Sequence, residues 1–352
     1  MSENIPAGGT ATCGTHGATK KNMTCGTHGA IKIHGVRHAR RNTLPGKTAG
    51  PIDRRFHPCH TVPIIPGHRN SCPMKMTTEE AFVKVLQMHG IEHVFGIIGS
   101  AFMPISDIFT RAGITFWDCA HEGSGGMMAD GFTRACGKMS MLIAQNGPGV
   151  TNFVTPVKTA YWNHTPLLLI TPQAANKTIG QGGFQEVEQM ALFADMVAYQ
   201  EELRDPTRVG EVLNRVIMNA HRASAPAQMN IPRDVWTQII DITLPAIVAF
   251  ERPAGGSAAI AKAAALLSNA RFPVIVNGAG VVLGGAIAAS QALAERLTAP
   301  VCCGYQHNDA FPGSHPLFAG PLGYNGSKAA MQLIAHADVV LALGTKIGRA
   351  HV

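Results

Sequence analysis

Apolar positions along the chain fall into two regimes. Through about residue 73 the large apolar side chains are scattered, and neither a two-residue nor a 3.6-residue period persists. From residue 74 the pattern becomes regular. Thr77 and Glu80 have the Thr-x-x-Glu spacing of a capping box. Ala81, Phe82, Val85 and Leu86 then recur at helical spacing, and Gly90 predicts the stop. Beyond it, short apolar runs predict strands at 93–95, 114–119, 139–144, 167–170 and 228–231. Helical patterns at 103–112, 121–136, 151–162 and 207–223 separate them, with a Gly-rich loop at 172–187. Apolar strands separated by helices predict a parallel sheet covered on both faces. In such sheets ligands bind at the carboxyl ends of the strands.

Residues 233–256, with Pro245 and the run Arg252-Pro253-Ala254-Gly255-Gly256, read as a linker. A second α/β unit follows. It comprises helices at 258–269 and 285–297 and strands at 272–276, 301–303 and 338–343, the last ending at Gly344. Gly278-x-Gly280-x-x-x-Gly284 lacks the third spacing of a dinucleotide fingerprint, so it reads as a tight strand–helix turn.

The chain has 352 residues, enough for two or three domains, with 46% apolar and 14% charged residues, which excludes a wholly disordered protein. The net charge of +7 belongs to the first 73 residues: ten Lys and Arg stand there against Glu3 and Asp53, a net of +8. The other 279 residues carry nineteen bases and twenty acids, a net of −1, so a nucleic-acid reading of the body loses its main support. The first residues lack the charged-then-apolar pattern of a secretory signal, and no run of eighteen apolar residues occurs. The eight Cys are scattered rather than arranged as the framework of a small secreted domain, so reduced thiols and a cytoplasmic location are expected.

In the basic segment, TCGTHGA at 12–18 recurs at 24–30. Its two Cys-x-x-His pairs, Cys13/His16 and Cys25/His28, with Cys59, Cys72, His57 and His60, form a candidate zinc set, and a zinc or nucleic-acid module is one reading of residues 1–73. A basic low-complexity extension, disordered, is preferred. Pro45-Gly46-Lys47-Thr48 is not a phosphate loop, because Arg41 occupies the first glycine position. Met74 or Met76 is the expected native start.

Glu122 follows an apolar strand and opens a helix, where the positive helix terminus favours a carboxylate. There it can hydrogen-bond a heterocyclic nitrogen and exchange a proton with it; a plain first-turn capping role is the alternative. The surrounding residues distinguish the two. HEGSGGMMADGFTR at 121–134 resembles the HE-x-x-A-x-x-x-A-x-G-x-x-R helix of thiamine-diphosphate-dependent enzymes, with Gly125 at an alanine position. FGIIG at 95–99 resembles their F-G-x-P-G turn, with Ile98 in place of Pro, and GPGVTN at 147–152 resembles G-P-G-x-x-N. GFQE at 183–186 resembles a loop over the substrate. The four motifs stand in the family order. Residues 161–186 and 302–316 are similar to the sulfoacetaldehyde acetyltransferase branch of this acetolactate synthase-like family.

The resemblance implies an α/β fold, with a parallel-sheet pyrimidine-binding domain over 74–240 and a truncated, partial Rossmann-like middle domain over 255–346. It implies an acyltransferase that uses thiamine diphosphate and Mg²⁺ to convert sulfoacetaldehyde and phosphate to acetyl phosphate and sulfite, in taurine and sulfonate catabolism. Glu122 would be the catalytic residue. Gly99, Ser100, Gly147, Pro148 and Asn152 would bind the coenzyme. Gln181, Phe184, Gln185 and Lys177 would face the substrate, with Asn176, Gln173 and His164 as further donors for a sulfonate. No metal ligand is expected within this chain. The G-D-G…N pattern that holds diphosphate through Mg²⁺ in this family does not occur in the sequence. The expectation is therefore a fragment, inactive alone, of an enzyme that is a homodimer or homotetramer with no membrane or nucleic-acid partner. Residues 347–352 depart from the family, and the codons for 346–352 can spell the opening of a sequencing adapter, so an artefactual tail is expected there. An acetolactate synthase-like carboligase is the alternative enzyme.

Overall fold

The structure, a computed structural model, describes residues 73–248, 254–324 and 326–346. The candidate zinc ligands Cys13, His16, Cys25, His28, His57, Cys59, His60 and Cys72, and the tail at 347–352, lie outside the described residues.

The chain order is β1 (Met74–Thr77), α1 (Thr78–Met88), β2 (His93–Gly96), α2 (Met103–Phe109), β3 (Thr115–Asp118), α3 (Glu122–Cys136), β4 (Ser140–Ile143), α4 (Pro148–Thr151), α5 (Val154–Trp162) and β5 (Leu167–Gln173). It continues through α6 (Gln189–Phe193), β6 (Tyr199–Glu202), α7 (Val209–Ala223), β7 (Ala227–Pro232) and β8 (Ile239–Ile242). The remaining elements are α8 (Ser257–Ser268), β9 (Pro273–Asn277), α9 (Ala279–Leu283), α10 (Ile287–Leu297), β10 (Val301–Gly304), β11 (Phe318–Leu322), α11 (Lys328–His336) and β12 (Val339–Leu343).

The expected capping box is formed. Thr77 Oγ1 accepts from the Glu80 amide at 3.4 Å, and Glu80 Oε2 accepts from the Thr77 amide at 3.1 Å. Gly113 and Gly137 close the next two helical segments in the left-handed conformation.

Six parallel strands form one sheet in the order β3-β2-β4-β5-β7-β6. Alternate residues of the central strands feed two cores. Met141, Ile143, Leu168 and Ile170 face α1, α2 and α7, where Phe82, Ile105 and Val216 pack. Leu142, Leu167 and Leu169 face α3 and α5, against Ala129, Phe153 and Val157. Both faces are thus covered, as the apolar runs require. The chain crosses from β2 to β3 on one side and returns to β4 on the other. This makes the carboxyl ends of β2 and β4 the switch point at which α/β sheets bind ligands.

A second parallel sheet has the order β11-β10-β9-β12, the order of half a dinucleotide-binding fold. Its first turn is tight: the Gly280 amide donates to Gly344 O at 2.8 Å, and a β-carbon on Gly280 would stand 2.6 Å from Gly344 Cα.

Residues 233–242, read above as the start of a linker, instead form a 3₁₀ turn and β8. β8 pairs antiparallel with β1, in the register Met74 to Ile242. Two four-residue strands about 160 positions apart carry no local signal of their pairing. β6, Tyr-Gln-Glu-Glu, has no apolar run and forms the sheet edge.

Candidate active site

Three turns and one long loop meet at the carboxyl ends of β2, β3, β4 and β5. Glu122 is the first residue of α3. His121 caps that helix, its Nδ1 accepting from the Gly123 amide at 3.0 Å, so its ring proton is on Nε2. The Glu122 side chain is buried, at 8% exposure. Its Oε2 accepts from Asn152 Nδ2 at 2.9 Å. Among the described residues Oε1 accepts no hydrogen bond. It faces Gly149, where an added β-carbon would stand 3.0 Å away. One carboxylate oxygen is therefore anchored by Asn152, and the other lies beside backbone with no side chain.

The helix can reach this position because of Gly125. A β-carbon there would lie 2.7 Å from Cys119 Sγ and 3.4 Å from the Gly96 amide. The departure from alanine at Gly125 thus has a packing reason, whereas Gly131 has open space around it.

Gly147 opens the third turn at φ 72° and ψ −108°, left-handed backbone that favours glycine. A β-carbon there would run into the Gln185 carbonyl. This contact joins the third turn to the loop after β5. In that loop Glu186 acts as a staple: Oε1 accepts from the Gly180 amide at 2.7 Å and Oε2 from the Gly183 amide at 3.0 Å. Gln185 is held at φ 59°, and the neighbouring Phe184 ring is 83% exposed.

The sequence-expected residues divide into three groups. Glu122 and Asn152 touch directly, beside Gly149. Gly99 and Gln185 meet through Gln145, while Ser100 is exposed on the first turn and Pro148 is exposed at the first position of α4. Lys177 and Gln181 contact each other, Gln181 Nε2 donating to Lys177 O at 3.0 Å, and both are exposed. The further donor candidates are already engaged or distant. Gln173 Nε2 donates to Val187 O, and Asn176 Nδ2 donates to Asp234 Oδ1. His164 precedes the seven-residue β5, which at about 3.3 Å per residue puts it roughly 20 Å from the carboxyl ends. It lies in a small cavity with Tyr161, Trp162, Ala198, Ala223, Ala225 and Lys346, where burial lowers its pKa.

Sequence reasoning missed Gln145, Asn146 and Gln189. Asn146 Nδ2 donates to Gln185 O at 3.0 Å. Gln189, fully buried, accepts from the Gly147 amide at 3.2 Å and donates to Pro172 O at 2.8 Å and Asn230 Oδ1 at 3.2 Å. Polar residues are expected at the surface, so only a motif would have marked them. Among the described residues no group of three or more His, Cys, Asp or Glu stands together to hold a metal. No helix among them is long and apolar enough to cross a membrane.

Comparison with known proteins follows the same division of the chain. Residues 76–192 match the thiamine pyrophosphate enzyme N-terminal TPP binding domain, and 260–352 match the thiamine pyrophosphate enzyme central domain. A sulfoacetaldehyde acetyltransferase of Roseovarius nubinhibens is 80% identical over 275 residues, covering 78% of this chain and 46% of that protein. A probable acetolactate synthase large subunit of Methanocaldococcus jannaschii is 32% identical over 279 residues, covering 77% of this chain and 47% of that protein. The chain spans about half the length of the curated relatives it matches. Among solved structures, the Rhodococcus jostii thiamine diphosphate-dependent 4-hydroxybenzoylformate decarboxylase superposes with TM-score 0.70 at 25% identity, over 79% of this chain and 53% of that one. On the two domain matches and these relatives, the chain belongs to the thiamine pyrophosphate enzyme family.

Proposed function

We propose that this chain is the pyrimidine-binding and central part of an enzyme that converts sulfoacetaldehyde and phosphate to acetyl phosphate and sulfite. The observation that carries the site is Glu122: a buried carboxylate with one oxygen held by Asn152 and the other bare beside Gly149. This site fits an aminopyrimidine, because Oε1 is free to share a proton with a ring nitrogen and the glycine backbone lets a flat ring approach. When bound, thiamine diphosphate supplies a carbon nucleophile and an electron sink for the substrate carbonyl.

Glu122 accepts and returns a proton at Oε1, while Asn152 keeps the carboxylate in one rotamer. Gly99, Ser100, Gly147 and Pro148 would hold the ring. Gln185 and Phe184 close the substrate side, the exposed Phe184 ring excluding water once a ligand is beneath it. Lys177 and Gln181 stand further out on the same loop as donors for the incoming anion. The diphosphate and Mg²⁺ are assigned to a domain outside this sequence, and the working enzyme to a cytoplasmic homo-oligomer. The two domains comprise 74–240, with β8 running on to Ile242, and 255–346.

The 80% identity to a sulfoacetaldehyde acetyltransferase, against 32% to the probable acetolactate synthase subunit, supports this substrate over pyruvate. The test uses the full-length protein with thiamine diphosphate and Mg²⁺. Sulfite and acetyl phosphate should form from sulfoacetaldehyde and phosphate. Acetolactate from pyruvate, with no sulfite released, would instead make the enzyme a carboligase.

A further inference from the structure

Gln145 joins three of the four loops, and its bonds have a fixed polarity. Its Oε1 accepts from the Ala101 amide at 3.1 Å. Its Nε2 donates to Asn146 Oδ1 at 2.7 Å and to Gln185 Oε1 at 2.9 Å. Side-chain amides can be turned over, so such an arrangement needs an anchor that cannot turn. Two exist here. The Ala101 backbone N–H can only donate, which requires the Gln145 oxygen toward it. The Gln185 and Phe184 carbonyls can only accept, which requires Asn146 Nδ2 toward them, at 3.0 and 3.5 Å, and therefore Asn146 Oδ1 toward Gln145. Both anchors make Gln145 Nε2 the donor. Gln185 must answer with its oxygen, which leaves its two N–H hydrogens without a partner among the described residues. Gln185 cannot easily leave this position: its backbone is held at φ 59°, its carbonyl by Asn146, and its loop by Glu186.

We propose that Gln145 is a positioning residue that fixes the Gln185 amide with its N–H groups free, so that Gln185 serves as a hydrogen-bond donor to a sulfonate or carbonyl oxygen of the substrate. The identity of that oxygen rests on the function proposed above; the polarity of the relay does not. Reversing it requires a side chain of the same length that only accepts. In Gln145→Glu, the carboxylate still accepts from Ala101, but it confronts the oxygens of Asn146 and Gln185. Asn146 is tied to two carbonyls, so Gln185 turns and presents its oxygen to the ligand. In Gln145→Met the relay is removed without being reversed.

The experiment labels the glutamines of the 352-residue chain with ¹⁵N and reads two quantities. Without ligand, the Gln145 side-chain hydrogens should exchange with water far more slowly than those of Gln185; equal or reversed rates would overturn the relay. With isethionate as the sulfonate probe, the Gln185 amide signal should shift. Gln145→Glu should weaken binding by about tenfold or more, and Gln145→Met by less. Isethionate binding equally tight in the parent and in Gln145→Glu would overturn the proposal. Slow Gln145 exchange with no isethionate binding, either by this chain or by the full-length protein with thiamine diphosphate and Mg²⁺, would support the relay and count against the sulfonate substrate instead.

Discussion

The two sheets are assembled from the same local unit, an apolar strand, a glycine turn and a helix, yet they are covered differently. Every residue of β5 is buried, whereas β12, a wholly apolar run, alternates between half-buried and exposed positions. On the six-stranded sheet, α7 buries Val209, Val212, Leu213, Val216, Ile217 and others; on the four-stranded side, α8 buries none of its residues. Ile260 and Leu266 of α8 are 57% and 58% exposed. Local pattern decides which element forms, while burial depends on which neighbours are present to cover it. The six-stranded sheet, covered on both faces, is rigid enough to hold three turns and a loop in register at its carboxyl edge.

The largest expected contrast in stability follows from that difference. Phe153 is fully buried between α5 and the sheet. Phe153→Ala should cost about 3–5 kcal/mol by denaturant unfolding, while Ile260→Ala should stay within about 0.5 kcal/mol. A comparable loss at Ile260 would mean that α8 is covered in solution.

Next in size is Gly125→Ala. Its added methyl meets Cys119 Sγ and should cost about 1–3 kcal/mol, with the loss carried into coenzyme binding because α3 is pushed off β2. Gly131→Ala, six residues along the same helix and in open space, should stabilise by about 0.5–1 kcal/mol.

A smaller and reversible effect is expected with pH, because burial lowers the pKa of three histidines, His89, His164 and His307. His89 hydrogen-bonds Asn214 at 2.9 Å. A histidine whose folded pKa lies below its unfolded value favours the neutral form. Its contribution is complete above pH of about 6.5 and is lost as pH falls through the folded pKa. The melting temperature should be flat above neutrality and fall on acidification, with a shallower fall in His89→Gln. A melting temperature that rises on acidification would contradict the burial of these rings.

Much of this was legible in the sequence. The capping box at Thr77, the stops at Gly113 and Gly137, and Glu122 at the start of α3 all rest on local chemistry, and each stands where expected. The edge strand β6 was not legible, because Tyr199 and Glu201 spend their polar atoms on each other and Glu201 pairs with Arg215 rather than burying an apolar face. Nor was the chain from Gly147 through Gln189 to Asn230, whose polar residues are buried because they satisfy one another. His164 shows the converse. Nearness in sequence to the loop placed it among the donors, but it lies at the opposite end of β5.

The proposed function gives Glu122 the role of proton acceptor for a coenzyme pyrimidine at the carboxyl edge of the six-stranded sheet. The direct measurement is sulfite release from sulfoacetaldehyde and phosphate by full-length Glu122→Gln with saturating thiamine diphosphate and Mg²⁺. Glutamine keeps the shape and the contact with Asn152 but cannot take the proton. That role requires a fall in turnover of about 10²–10⁴-fold with unchanged circular dichroism and melting temperature. Turnover equal to that of the parent would contradict it.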